Sequence, residues 1–332
     1  MEIQTLITKK RSIYSSILDF LESSNDLNDD FQLLVSDFEK IGLQNNTEEI
    51  LDTIRLISNI SKNHYRLKYF FDKIFKLLEY LLKILKTSIT NLELFNIFRQ
   101  NKRILLFLFE KNILTPDNEI VSMLDYDDIL YLYPEIKSFI KDPKSIESDI
   151  SNKFQESLDS FSEKCHIGEN SLYICLLIRQ DLIDEFISYI NHTNFSLTTK
   201  IRPDIYETNS LLLQKAPSLI EYASFYGSIQ IIKHLMYNNI KLYSNLWLYV
   251  IHSNNDELFH FLEENKVKLQ NPIDIFIESI KCHHNAVAVY IRDNILTQAQ
   301  LDEMSQKIVN TILETKNYYF LPDIDDMILG EK

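Results

Sequence analysis

A chain of 332 residues carries only four glycines: Gly42, Gly168, Gly227 and Gly330. Average usage would supply roughly 23. Hairpin-rich sandwiches and barrels place glycine at positive-φ turn positions, and phosphate-cradling loops need several close together. No GxGxxG or GxxxxGK[ST] can be assembled from four glycines so far apart, so nucleotide-binding folds of those kinds are excluded. What remains is an architecture that turns without glycine.

The apolar residues repeat at intervals of three and four. Ile50, Ile54 and Ile57 form one stripe, Phe71, Ile74, Phe75, Leu78, Leu82 and Leu85 a longer one, and Leu301, Met304, Ile308 and Ile312 another. This is the period of an amphipathic helix, and sustained period-two alternation is absent. Helix ends are legible too. Asn46 with Glu49 suggests a cap, and Thr115-Pro116, Asp142-Pro143 and Asn271-Pro272 each place a capping residue before proline. Gly42 and Gly168 follow helical patterns, where a left-handed residue closes a helix. The chain reads as all-α.

A net charge of -14 repels phosphate backbones and argues against nucleic-acid binding. The N-terminal residues lack the pattern of a signal peptide. The most apolar stretch, 67–85, is broken by Lys68, Asp72, Lys73, Lys76, Glu79 and Lys83, so no transmembrane segment is expected. Three widely spaced cysteines, Cys165, Cys175 and Cys282, point to a reducing, cytoplasmic setting.

Short helical patterns joined by short links recur along the chain. LIEYASFYGSIQIIKHLMYNNIKL from Leu219 aligns with LWLYVIHSNNDELFHFLEENKVKL from Leu246, pairing Ala223 with Val250, Gly227 with Asn254 and Leu235 with Leu262. Units from Ile275, Leu172 and Leu92 follow the same scheme of helix, polar turn, helix and closing asparagine. Asn254 and Asn101 take the place of Gly227, while Asn112, Asn239, Asn265 and Asn294 stand near the closing caps. Asparagine is among the few non-glycine residues that enter the left-handed region readily.

The unit from Ser218 resembles an ankyrin repeat through Ile220, Ala223, Gly227, Ile232, Leu235 and Met236. It has Ser218-Leu219-Ile220-Glu221 where that family has Thr-Pro-Leu-His, and a period of about 27 residues instead of the family's 33. The missing residues correspond to most of the β-hairpin finger. A longer run, from Leu172 to Asn265, is similar to an uncharacterised domain family that precedes long ankyrin arrays in many protist proteins. The phrases RQDLIDEFISYIN, IYETNSLLLQK and LIEYASFYGSIQIIKHLM carry that resemblance.

The resemblance implies a solenoid of degenerate ankyrin-like helix pairs over residues 89–296, preceded by an N-terminal helical region (1–88) and followed by a capping helix and tail (297–332). It also implies that residues before the turn line a concave face and touch a protein partner: Phe225, Tyr226, His252, Ser253 and Lys281. Trp247, the only tryptophan, is expected in the core.

No residue pattern identifies a reaction, and neither an enzyme nor a cofactor is expected. Cys165-His166 and Cys282-His283-His284 are adjacent pairs whose side chains diverge by about 100° on a helix. Zinc would need a recurring ligand spacing, and no C-x-x-C or H-x-x-x-H occurs. No metal is expected, although stacking could bring His252, Cys282 and His283 together from successive turns. Asp125, Asp127 and Asp128, and Asp323, Asp325 and Asp326, read as solvated helix ends, because neither cluster has the spacing of a calcium loop.

The expected function is that of a non-enzymatic protein–protein interaction scaffold with an unidentified protein partner. The alternative is a peripheral membrane or cytoskeletal adaptor using the basic segment 62–86. There Lys62, Arg66, Lys68, Lys73, Lys76, Lys83 and Lys86 accompany Tyr65, Tyr69, Phe70, Phe71 and Phe75.

Overall fold

The structure, a computed structural model, describes residues 2–322 except 65, 67, 68, 86 and 87. Asp323, Asp325 and Asp326, and Tyr65, Lys68 and Lys86 of the basic segment, lie outside the described residues. Among the described residues there are helices and no strand. A single antiparallel bridge joins Lys200 and Ser218. The all-α expectation holds.

Four longer helices come first: α1 (Glu2–Glu22), α2 (Leu27–Ile41), α3 (Thr47–Asn63) and α4 (Phe70–Leu85). Ten shorter ones follow: α5 (Asn91–Phe98), α6 (Lys102–Glu110), α7 (Asn118–Ser122), α8 (Tyr126–Tyr131), α9 (Tyr133–Ile136), α10 (Pro143–Phe154), α11 (Leu158–Ile167), α12 (Tyr173–Arg179), α13 (Ile183–Thr193) and α14 (Ser210–Lys215). The last eight are α15 (Leu219–Tyr226), α16 (Ile229–Tyr237), α17 (Leu246–Ser253), α18 (Asp256–Glu264), α19 (Pro272–Lys281), α20 (Asn285–Asn294), α21 (Gln298–Glu303) and α22 (Ser305–Thr315). Each aligned sequence unit is a helix pair: α5/α6, α12/α13, α15/α16, α17/α18 and α19/α20. The C-terminal stripe is two helices instead of one, because the backbone breaks at Met304.

The chain divides into two compact units, residues 1–84 with 220–332, and residues 85–219. This grouping differs from the three-part division expected from sequence. The physical reason lies in side chains that join the first 84 residues to the last hundred or so. In that unit Asp52 on α3 accepts from Lys10 on α1 and from Lys316 and Tyr318. Asn59 donates to the Glu314 carbonyl at 2.9 Å, and the Tyr14 and Tyr318 rings lie 6.3 Å apart.

Within the same unit the apolar face of α4 is core. Phe70, Phe71, Ile74, Leu77, Leu78 and Leu81 are buried. Lys73 is only 3% exposed, and its ammonium donates to the Phe20 and Ser23 carbonyls at the end of α1, both at 2.6 Å. Burying an ammonium requires such partners. The unit formed by residues 85–219 has its own aromatic cluster. Phe161 lies 5.2 Å from both Phe154 and Tyr206, and the Tyr206 hydroxyl donates to Glu156 at 3.0 Å.

Helix ends follow the chemistry of their residues. Asn46 accepts from the Glu48 and Glu49 amides, and Asp142 caps α10 ahead of Pro143. Gly42 and Gly168 close helices at φ +74° and +67°. Thr115-Pro116 does not start a helix; Asp117 is the cap, accepting from the Ile120 amide. Three of the turn asparagines are left-handed: Asn112 (φ +53°), Asn239 (+64°) and Asn254 (+46°). Asn101 is instead an N-cap at φ −127° that accepts from the Ile104 amide, and Lys266 (+54°) takes the left-handed position expected of Asn265. The helix-pair turns therefore place Gly227, Asn254 and His283 (+60°) in one equivalent left-handed position.

Candidate functional site

The turns of α15/α16, α17/α18 and α19/α20 bring the expected site residues to one region of the first unit. Three of the five face inward: Phe225 is 5% exposed, His252 2% and Ser253 1%. Tyr226 and Lys281 are half-buried. The Phe225 ring stacks on the His252 imidazole at 5.2 Å and 23°, and Ser253 donates to the Val250 carbonyl. Phe225 and His252 pack against the next helix pair and Ser253 bonds within its own helix, so these three side chains offer almost no surface to a partner. Trp247 is buried as expected, with its indole N–H donating to the Val267 carbonyl at 3.1 Å.

Around His252 the packing assembles a polar cluster. The His252 Nε2 lies 2.9 Å from Glu278 Oε1, and Cys282 Sγ lies 3.6 and 3.7 Å from the two ring nitrogens. One donor atom from each of His252, Glu278 and Cys282 falls within 4.8 Å of the other two. Glu278 and Cys282 are four positions apart on α19 and its C-cap, which puts them on one helix face. His252 arrives from α17, packed alongside. The Lys281 ammonium reaches the other Glu278 oxygen at 3.3 Å.

The cluster's electrostatics follow from burial. Burial alone would raise the Glu278 carboxyl, but the hydrogen bond and charge of His252, with Lys281, hold it down at about 2. Burial pushes the Cys282 thiol well above its ordinary range. Such a thiol, with no exposed surface, is not poised as a nucleophile.

His283, expected as a neighbour of His252, faces elsewhere. Its Nδ1 pairs with the Tyr14 hydroxyl at 3.1 Å. The His284 Nδ1 meets the Ile251 carbonyl at 2.6 Å, and the His284 ring lies 5.2 Å from that of His64. Burial, followed by the charge of His64, lowers both imidazoles, His283 to about 3. Glu278 was missed by a search for cysteine and histidine. Its i,i+4 spacing from Cys282 was the available signal.

A second feature lies at the opposite ends of the same helices. The links after α16 and α18 enclose a groove of about 530 Å³ lined by Met236, Ile240, Tyr243, Val267 and three exposed lysines, Lys241, Lys266 and Lys268. None of the three lysines has an acidic partner among the described residues. Tyr243 is 63% exposed. The signal in sequence was a local run of lysines at the same point of two successive repeats in an acidic chain.

Neither family models, nor curated proteins, nor solved structures give a match to this chain. No described helix is long and apolar enough to cross a membrane.

Proposed function

We propose that this chain is a non-enzymatic protein-interaction scaffold, a solenoid of degenerate ankyrin-like helix pairs, and that it binds an acidic extended segment of a partner protein. The observation that carries this reading is the groove between successive inter-pair links, where three exposed lysines with no acidic partner among the described residues surround an exposed tyrosine. In a chain of net charge -14, a local cationic groove concentrates attraction for acidic segments while the remaining surface repels them. Tyrosine adds contact area at low entropic cost. Three free, buried cysteines support a reducing, cytoplasmic setting.

This choice moves the contact surface from the inner helices to the links, because Phe225, His252 and Ser253 are occupied by internal packing. The adaptor reading through 62–86 is disfavoured on the same ground, since the apolar face of α4 is core.

The test is fluorescence anisotropy of labelled Asp/Glu-rich peptides with the full chain. Binding should weaken with salt and be lost in Lys241→Glu/Lys266→Glu/Lys268→Glu, while Tyr226→Ala/Lys281→Ala keeps it. Binding that instead depends on Tyr226 and Lys281 returns the contact to the inner face. No binding, or equal binding by the triple variant, removes the groove reading.

A further inference from the structure

We infer that His252, Glu278 and Cys282 form a binding site for a divalent cation of the zinc class. Nothing in the scaffold reading above calls for a metal, and the sequence predicted none. The inference stands on the cluster's geometry.

The separation of the donors is the first argument. Zinc holds sulfur at about 2.3 Å and imidazole nitrogen at about 2.0 Å, so two such ligands on a tetrahedral ion lie about 3.5 Å apart. The Cys282 sulfur lies 3.6 and 3.7 Å from the two His252 ring nitrogens, a matching separation, and a turn of the imidazole aims one nitrogen at an ion beside the sulfur. The Glu278 oxygen at 2.9 Å from Nε2 hydrogen-bonds to the ring, and it needs to back away only slightly to admit an ion between them.

The donor set is the second. A thiolate, a neutral imidazole and a carboxylate suit zinc or cobalt, whereas magnesium and calcium call for oxygen ligands. Thiolate and carboxylate together cancel the charge of a divalent ion. A buried site accepts that neutral total at least cost. Binding displaces the thiol proton to solvent, and the Nε2 proton that bonds Glu278 passes to Nδ1 or solvent. Metal–sulfur, metal–nitrogen and metal–oxygen bonds form, and the His252–Glu278 hydrogen bond breaks.

The surroundings are the third. Phe225 stacks on the His252 ring, and Lys281 holds the second Glu278 oxygen, as outer-shell partners do in metal sites. The Glu278 side chain keeps 16% of its surface exposed, which leaves a path from solvent to an otherwise closed cluster.

The experiment is a titration of the full, chelator-treated chain with Co²⁺, followed by Zn²⁺. One equivalent of cobalt should bring up a thiolate-to-cobalt charge-transfer band in the near ultraviolet, which zinc then bleaches, with protons released on binding. Cys282→Ser should abolish the band, and Cys165→Ser and Cys175→Ser should keep it. Absence of the band in the parent chain, or its survival in Cys282→Ser, overturns the inference. Should Cys282→Ser lose helicity, Glu278→Gln decides, because it keeps a hydrogen bond to His252 while removing the anionic ligand. Zinc affinity should then fall at least about tenfold, and an unchanged affinity overturns the site.

Discussion

The Tyr318 hydroxyl donates to Asp52 at 2.6 Å, joining residues 266 positions apart. Lys10 and Lys316 bind the same carboxylate. Burial works against the charged form of Asp52, yet these three donors win and lower its carboxyl to about 2. One acidic group therefore ties α1, α3 and the segment after α22.

Asp52→Asn should cost about 1–2 kcal/mol at neutral pH, since the pairs are only partly withdrawn from solvent. The folded carboxyl titrates below the unfolded value of about 3.9. Its contribution is therefore full above that pH and fades as pH falls through about 2. Urea unfolding at pH 6 and pH 3 should show a smaller gap between variant and parent at the lower pH. A gap that is constant or grows would contradict the assignment.

Lys73 carries a second test. It is buried, bonded to two carbonyls, and lies 3.6 Å from Asp30, itself buried. Lys73→Ala removes the buried counter-charge of Asp30, which keeps Asn25, and the donor to both carbonyls, and should destabilise by about 3–5 kcal/mol. Asp30→Asn/Lys73→Met should recover part of the loss. Equal melting of Lys73→Ala and the parent would place this lysine in solvent.

The left-handed turns predict opposite outcomes at equivalent positions. Gly227 has φ +71°, and a Cβ there would come within 3.0 Å of the Asn255 amide nitrogen. Gly227→Ala should cost about 1–2 kcal/mol. Asn254→Gly, at φ +46°, should be neutral or slightly stabilising. Thermal melts of the two single variants check both signs.

Trp247 reports on one unit alone. It is 3% exposed and packs edge-on to Phe259 at 4.9 Å. Native emission should be blue-shifted and move to the red only as residues 1–84 and 220–332 unfold. Trp247→Phe, which removes the bond to Val267, should lower stability by about 1–2 kcal/mol. An emission maximum already typical of water-exposed indole in the native chain would refute the burial.

Local features were readable and distant pairings were not. The turns around Gly227 and Asn254 and the caps at Asn46 and Asp142 follow from backbone preferences that a few residues express. The partnership of Lys10, Asp52, Lys316 and Tyr318 depends on which helices pack together, and no periodicity encodes it. The candidate site divides the same way. His252 and Cys282 could be matched as neighbours in successive turns. His283 could not be placed, because a left-handed residue swings its side chain away from the helix face that precedes it. Whether Phe225 faces a partner or the next helix pair depends on what covers it, and both surroundings favour an aromatic ring.

The grouping of residues 1–84 with 220–332 sets an order of events during synthesis. The unit of residues 85–219 has all its residues outside the ribosome before the other has half of its core. The first helices must wait, with Tyr14, Asp52 and His64 lacking His283, Lys316, Tyr318 and the Cys282 carbonyl, until residues translated last arrive. The hazard for this chain is thus concentrated in time, in the interval when the partners on α1 and α3 are made and their counterparts are not.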